Sequence, residues 1–368
     1  MARLRKASFS YSIMRHSANL DFLRSFAVSL VLSDHLILTL TSHVGFQNNS
    51  LHAWAVHLGK VGVLAFFVHT SLVLMYSLER MTRSTDRVSI RFYVRSLFRI
   101  YPLSIFAITL VLVLHIPDNT WGSKHNITPS VILSDLLLVQ NLFTKTSVLS
   151  PLWSLPYEVQ MYLVLPALYY LAIRRRGVLY LCALLVFFCA LGFLIAKESG
   201  GHLNMAAYVP CFLSGVICYS LRDRIRARLP AALWPTFLFL LVASYCIADI
   251  NEEPSFWMGW IFCIFLGFTI NAFHDSTNKP LNAVAEKVAL YSYGVYLLHV
   301  PVLYLVFTVF GIKNLVFGPL LFLMLTMVAS IITYHFIESP FINLGRRLSS
   351  SPVRTPVSPP AQERQEGS

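Results

Sequence analysis

An all-α membrane protein of about ten spanning helices is the fold class this sequence predicts, on three observations. Of the 368 residues, 56% are hydrophobic and only 12% are charged, about half the charge of a soluble domain. Apolar runs of about twenty residues, the length a helix needs to cross a bilayer, recur along the chain. Lysine and arginine gather in alternate connecting segments. Disorder is excluded for most of the chain by this apolar content. A disulfide scaffold is excluded because the six cysteines are scattered without C-x-x-C spacing. A membrane barrel would show weaker, alternating segments.

The segments follow in order. Residues 1–19 are basic and polar, and no cleavable signal peptide is evident. The expected spans are 20–41, 56–78, 100–116, 155–173, 178–196, 203–221, 231–248, 256–273, 290–310 and 315–337. One further run, 131–143, is short and carries Asp135, Gln140 and Asn141, so a re-entrant or shallow segment is expected there. The chain from 346 to 368 is Ser/Pro-rich and is expected to be a disordered tail. That leaves 20–345 as one membrane domain. Two sequons, at Asn48 and Asn126, fall in connecting loops.

The charge distribution orients these spans. With the N-terminus in the cytoplasm, the inner segments and Arg24 hold 24 of the 29 Lys and Arg. The outside receives Lys60, Lys124, Lys145, Lys197 and Lys313. Both termini are then cytoplasmic. Counting 131–143 as a full span would put Arg174, Arg175 and Arg176 outside, against the same rule. The net charge of +12 is thus a topology signal with attraction to anionic lipid headgroups, and no sign of nucleic acid.

Ionisable side chains inside a bilayer are costly and point to function. The first span reads LDFLRSFAVSLVLSDHLILTL. Arg24 and His35, eleven residues apart, fall about 20° from the same helical azimuth and about 16 Å apart along the axis. An imidazole can take a proton from a hydroxyl near neutral pH. Alternatively, Arg24 snorkels to headgroups and His35 bonds a neighbouring helix. Asp34 adjoins His35 in sequence but lies about 100° round the helix.

Arg80, Arg83, Arg87, Arg91, Arg95 and Arg99 recur every three or four residues, a stripe on any helix there. Guanidinium forks match phosphate oxygens, whether of a polyphosphate ligand or of lipid. PLWSLPYEVQMY, at 151–162, brings Trp153, Ser154, Glu158 and Tyr162 to the start of a span. Its carboxylate needs a partner, and its aromatic residues suit an interface. His299 precedes Pro301 inside a span, where it either serves a site or satisfies local hydrogen bonding. Glu338 ends the last span and could pair with Arg346 or Arg347. No metal-ligand spacing, nucleophile elbow, phosphate loop or dinucleotide fingerprint is visible.

Together these segments resemble the membrane acyltransferase-3 family, whose members O-acylate surface glycans and some small natural products. The resemblance runs from about 19 to 345 in the family's order. It rests on LDFLRSFAVSLVLSDHL, GKVGVLAFFVHTSLVL, RFYVRSLFRIYPL, PLWSLPYEVQMYLVLPAL, YSYGVYLLHVPVL and HFIESPFINLGRRL. There are departures: Leu64 stands where the second-helix signature usually has an acidic residue, and Thr70–Ser71 where it has Ser-Gly. No appended soluble hydrolase-like domain is expected.

The resemblance implies an enzyme of the plasma (bacterial inner) membrane with no permanently bound cofactor. An acyl-CoA, acetyl-CoA foremost, would be the co-substrate and a cell-envelope glycan or glycolipid the acceptor. Arg24, Arg91, Arg95 and Arg99 would then meet CoA phosphates. His35 would act as general base, oriented by Asp34 or Glu158. Trp153, Ser154, Tyr162 and His299 would contact the acceptor. With no activated Ser or Cys in view, direct transfer is expected over an acyl-enzyme. A proton-coupled secondary transporter using Asp34, His35 and Glu158 is the alternative, although the two halves show no repeat. A non-catalytic partner of a glycan pathway is a third.

Overall fold

Helix dominates the computed structural model, which describes residues 17–43, 49–84, 87–116, 127–144, 146–198, 205–225, 227–248 and 255–349. In chain order the α-helices are α1 (Ala18–His43), α2 (Asn49–Thr82), α3 (Val88–Val113), α4 (Pro129–Leu136), α5 (Gln140–Phe143), α6 (Leu155–Ala172), α7 (Gly177–Glu198), α8 (Met205–Leu221), α9 (Leu233–Ala248), α10 (Phe256–Thr269), α11 (Lys279–Leu303), α12 (Phe317–Thr333) and α13 (Ser339–Leu348). Six stretches are long and apolar enough to cross a membrane: Ala18–Ser42, Trp54–Thr82, Val88–Val113, Gly177–Ile195, Lys279–Val309 and Phe317–Leu348. The apolar helices α8, α9 and α10 are shorter. No strand occurs among the described residues; one isolated bridge joins Leu229 to Phe273. The basic N-terminus through residue 16, the tail from 350 and both sequon asparagines, Asn48 and Asn126, lie outside the described residues.

The centre of the bundle is α2, packed against α1, α8 and α10. Its Val61, Val68, Leu72, Met75 and Leu78 are fully buried. α8 is buried along nearly its whole length, from Ala206 to Tyr219. By contrast α7 and α12 turn Leu179, Phe187, Phe193, Leu320 and Ile332 outward, which suits lipid contact. Lipid tails are as apolar as leucine, so burial of such side chains does not drive helices together there. Close packing at small residues does. Gly215 of α8 is such a point: a Cβ there would overlap the Ser71 hydroxyl and the Val68 carbonyl of α2.

The segments that the charge pattern assigns to one side meet at one end of the bundle. Asn19 at the start of α1 is held by the 274–276 loop, donating to the His274 carbonyl (3.0 Å) and accepting from the Ser276 N–H (3.2 Å). The Trp234 indole donates to the Asn19 carbonyl (3.2 Å). Arg222 reaches Glu79 at the end of α2 (3.4 Å), and Arg95 donates to Ser349 (3.0 Å). Whole segments far apart in sequence thus share one polar end.

Three expectations change. The third helix begins at Val88 rather than 100, so Arg91, Arg95 and Arg99 lie within its first turns. Hydropathy ends a span at arginine, but an arginine facing a cavity need not meet lipid. The arginine stripe is therefore split: Arg80 closes α2, Arg83 pairs with Glu79 across the turn (2.8 Å), and Arg87 precedes α3. The 131–143 run, expected to be a short segment rather than a span, forms α4 and α5, of 8 and 4 residues, too short to cross a bilayer. Its polar residues organise the approach to α6. Asp135, fully buried, accepts from the Val148 N–H (2.5 Å) and the Ser147 hydroxyl (3.0 Å), while Gln140 donates to the Leu152 carbonyl (2.8 Å). The last helix runs on through a π-turn, Tyr334–Glu338, into α13.

Gly215→Ala should lower the thermal unfolding midpoint in detergent, by a stability loss of about 1–3 kcal/mol for overpacking. An unchanged midpoint would refute the close α2–α8 approach.

Candidate active site

Four cavities adjoin one another across the bundle, sharing walls. The largest, about 630 Å³, opens at the polar end and is lined by Arg24, Arg80, Arg99, Arg346, Lys287 and Glu338 among others. A second of about 420 Å³ lies beside it, sharing Arg80, Arg99 and Arg346 and adding Arg95. A narrow third, about 50 Å³, shares Arg24, Arg99 and Tyr293 with the first and adds Glu158, Ser154 and Ser292. A fourth, about 200 Å³, shares Val63 and Tyr296 with the third and holds Asp34, His35, Lys60 and Trp153. The basic end and the imidazole end are separated by the eleven residues from Arg24 to His35, about 16 Å of helix.

Each end is held by specific contacts. The Arg24 guanidinium donates through Nε to Ser292 Oγ (2.6 Å), tying α1 to α11, and Ser292 donates to the Ala289 carbonyl (2.8 Å). Arg24 and Arg99 both interact electrostatically with Glu158 and Glu338. Two carboxylates facing two guanidinium groups offset the cost of holding charge among apolar helices. Glu158 is held in turn by the Tyr162 hydroxyl, which donates at 2.5 Å. Glu338 lines the large cavity, its Oε1 accepting no hydrogen bond among the described residues. It faces Arg24 and Arg99 as well as Arg346, beyond the local pairing expected of it.

At the other end, His35 Nδ1 lies 3.1 Å from Asp34 Oδ2 and 3.1 Å from the Val31 carbonyl. Both are acceptors, so Nδ1 carries the proton of a neutral ring and Nε2 is the basic nitrogen. Asp34 closes the angle left by helix geometry because α2 has no side chain in its way. A Cβ on Gly59 would overlap the Asp34 carboxylate. The His299 ring packs edge to face on His35, with centroids 4.7 Å apart and planes at 86°. His299 Nδ1 donates to the Tyr296 carbonyl (2.7 Å), and its Nε2 has no hydrogen-bond partner among the described residues.

The structure gathers most of the sequence-derived residues along this line of cavities. Arg24, Arg95 and Arg99 line the basic end; Glu158 and Ser154 line the narrow part; Asp34, His35 and Trp153 line the far chamber. Glu158 and His35 sit in different cavities, so Asp34 is the carboxylate beside the imidazole. Arg91 donates instead to Ser84 (3.1 Å) and lines none of the four. Tyr162 and His299 are buried beside the cavities rather than in their walls. Ser154 bonds Tyr296 (2.8 Å), which donates to the Pro151 carbonyl (2.9 Å).

Sequence reasoning missed Lys60 and Tyr296, and saw Arg346 only as a local partner for Glu338. Lys60, inside the expected span 56–78, was counted only among the charges on the outside. A lone lysine inside an apolar run is the same signal that singled out Arg24. Tyr296 and Arg346 carry no such signal, since only the packing of α11 and α13 against α1 to α3 turns them inward.

The chain is 27% identical over 383 residues to the "Putative peptidoglycan O-acetyltransferase YrhL" of Bacillus subtilis (strain 168), a match that covers 92% of the chain. It spans 57% of that relative's length. No solved structure matches the chain. The family described as "Acyltransferase domain", acyltransferase-3, matches residues 17–335. Over most of its length, and in the helices that carry Arg24, His35, Arg99 and Glu158, this chain belongs to the acyltransferase-3 family.

Proposed function

We propose that the chain is an integral-membrane O-acyltransferase that moves an acyl group, acetyl foremost, from acyl-CoA to a hydroxyl of a cell-envelope glycan. The observation that carries this reading is the line of adjoining cavities, basic at one end and furnished with the Asp34–His35 pair at the other. Family membership supports the reaction class. The relative's name supports a glycan acceptor and an acetyl group. Ten helices, α1 to α3 and α6 to α12, would then cross the plasma membrane, with both ends and the basic cavities on the cytoplasmic side. The Lys/Arg asymmetry supports that orientation, and CoA is a cytoplasmic polyanion.

In this mechanism the phosphates of CoA rest against Arg24, Arg80, Arg95, Arg99 and Arg346, where guanidinium groups match phosphate oxygens. The slim thioester arm passes the narrow cavity beside Glu158 and Ser154. The acceptor sugar occupies the far chamber against Trp153. His35 Nε2 takes the proton of the acceptor hydroxyl as its oxygen attacks the thioester carbonyl carbon. The ester C–O bond forms, the C–S bond breaks, and the departing thiolate recovers the proton from the imidazolium. Asp34 holds the required tautomer and stabilises the charged ring. The transfer is direct and needs no acyl-enzyme.

Purified protein in nanodiscs, supplied with radiolabelled acetyl-CoA and the host's isolated envelope glycan, tests the reading. Label should move to glycan with wild type. His35→Ala should lower the rate by about 10²–10⁴-fold with the fold intact; wild-type rates would remove His35 from the chemistry. Folded wild type that does not bind acetyl-CoA would sink the acetyl donor.

Gly59→Ala should mimic Asp34→Asn, since both remove the carboxylate from His35 Nδ1. Both should slow turnover while leaving the KM for acetyl-CoA within about twofold. Turnover at the wild-type rate in Gly59→Ala would show that Asp34 does not need that space.

Arg99→Ala should raise the KM for acetyl-CoA about tenfold or more, the loss of a charge-assisted hydrogen bond. Arg91→Ala should change it far less. Equal effects would displace the proposed CoA site.

A further inference from the structure

One cation in the far chamber has no part in the mechanism above. Lys60 stands on α2 next to Gly59, in the wall of the cavity that holds Asp34, His35 and Trp153. Its ammonium lies 4.5 Å from the ring centre of Tyr208, 4.9 Å from Trp153 and 5.3 Å from Phe256. It donates to the Tyr208 hydroxyl oxygen. Aromatic faces steady such a cation but do not neutralise it. No carboxylate lies within ion-pair distance of it among the described residues. Asp34, the acidic group in the same wall, is bonded to His35.

An ammonium has three N–H donors. Tyr208 takes one, and no protein acceptor takes the others among the described residues. The Tyr208 hydroxyl proton also meets no acceptor in the described structure. The chamber therefore combines aromatic surface fit for a sugar ring, a basic imidazole, and donors with net positive charge beside them. A charge held among helices without a counterion is costly unless a ligand completes it. Trp153 touches both the lysine cage and the chamber, so a ring stacked on it lies within reach of both Lys60 and His35.

We propose that Lys60 selects the acceptor by binding an anionic group, a carboxylate or phosphate, carried by the glycan near the hydroxyl that is acylated. This deepens the acyltransferase reading and rests on it: the substrate class becomes an acidic glycan, with Lys60 as the specificity-determining residue. Lys60 is not the proton acceptor and makes no bond to the acyl group. Its contribution is to hold the acidic sugar so that one hydroxyl faces His35.

The test uses the full-length protein in nanodiscs, radiolabelled acetyl-CoA and three forms of the host's isolated envelope glycan. These are the native glycan, the glycan with its carboxylates converted to primary amides, and the glycan stripped of phosphate. Wild type should acetylate the native form at least tenfold faster, in kcat/KM, than whichever modified form lacks the recognised anion. The sensitive arm tells carboxylate from phosphate. Lys60→Met keeps the apolar stem within the aromatic cage and removes the charge. It should lose at least tenfold on native glycan and no longer distinguish the three forms, while Lys60→Arg should retain the discrimination. Equal wild-type rates on all three forms would overturn the inference and leave the acyltransferase reading standing. So would a Lys60→Met defect of equal size on every form, which would mark a structural or chemical role. Wild type that acetylates none of them would bring down the acyltransferase reading and this inference together. Thermal unfolding midpoints of the two variants near that of wild type establish that each is folded; if Lys60→Met is not, Lys60→Gln takes its place under the same criteria.

Discussion

The contact between α1 and α2 is the constraint on which the rest of the site depends. α2 presents glycine at 59 and at 62 to α1. A Cβ on Gly62 would lie 2.7 Å from the Ala27 carbonyl, and one on Gly59 would fall on the Asp34 carboxylate. The two backbones can therefore approach more closely than side chains would permit. In lipid, where apolar burial between helices gives little drive, such packing holds a bundle together. The same contact folds Asp34 across to His35 and settles which imidazole nitrogen is basic. Lys60 and Val63, one position beyond each glycine, then line the chamber on the adjoining face of α2.

Charge inside the bundle follows from that frame. Arg24 and Arg99 come from different helices and meet in the wall of the narrow cavity, with Glu158 in the same wall and Glu338 in the adjoining one. Each cation would be costly alone among apolar helices; mutual compensation and the hydrogen bond from Arg24 to Ser292 lower that cost. The arrangement leaves a surplus of positive charge at the polar end, where Arg80, Arg95 and Arg346 add to it. It leaves a smaller, caged surplus at Lys60. An anion is thus favoured at both ends of the cavity line, by guanidinium forks at one and by a single ammonium at the other.

Much of this was legible in the chain itself. Long apolar runs must form helices in lipid, because every backbone polar group needs an internal partner. Arg24 and His35 stand out because a charge and an imidazole on one face of an apolar helix have few structural uses. The signal failed where a polar residue looked ordinary for its place. Lys60 was absorbed into the count of outside charges. The arginines of α3 were read as the end of a span, since hydropathy does not know which face of a helix meets a cavity. Asp135 and Gln140 marked 131–143 as unusual, but only the fold shows that they brace the segment leading to Trp153 and Ser154.

By itself, then, the sequence determined the all-helical membrane class, the polar end at which distant segments gather, and the candidacy of Arg24, His35, Arg99 and Glu158. Periodicity, hydropathy and charge bias are local properties, and those conclusions need nothing more. Tertiary structure decided which candidates share a cavity: that Asp34 rather than Glu158 adjoins His35, that Arg91 turns away, and that Lys60, Tyr296 and Arg346 turn in. Those choices depend on how closely two helices approach and at what rotation. Both are set by side chains on the partner helix, which no window along a single segment contains.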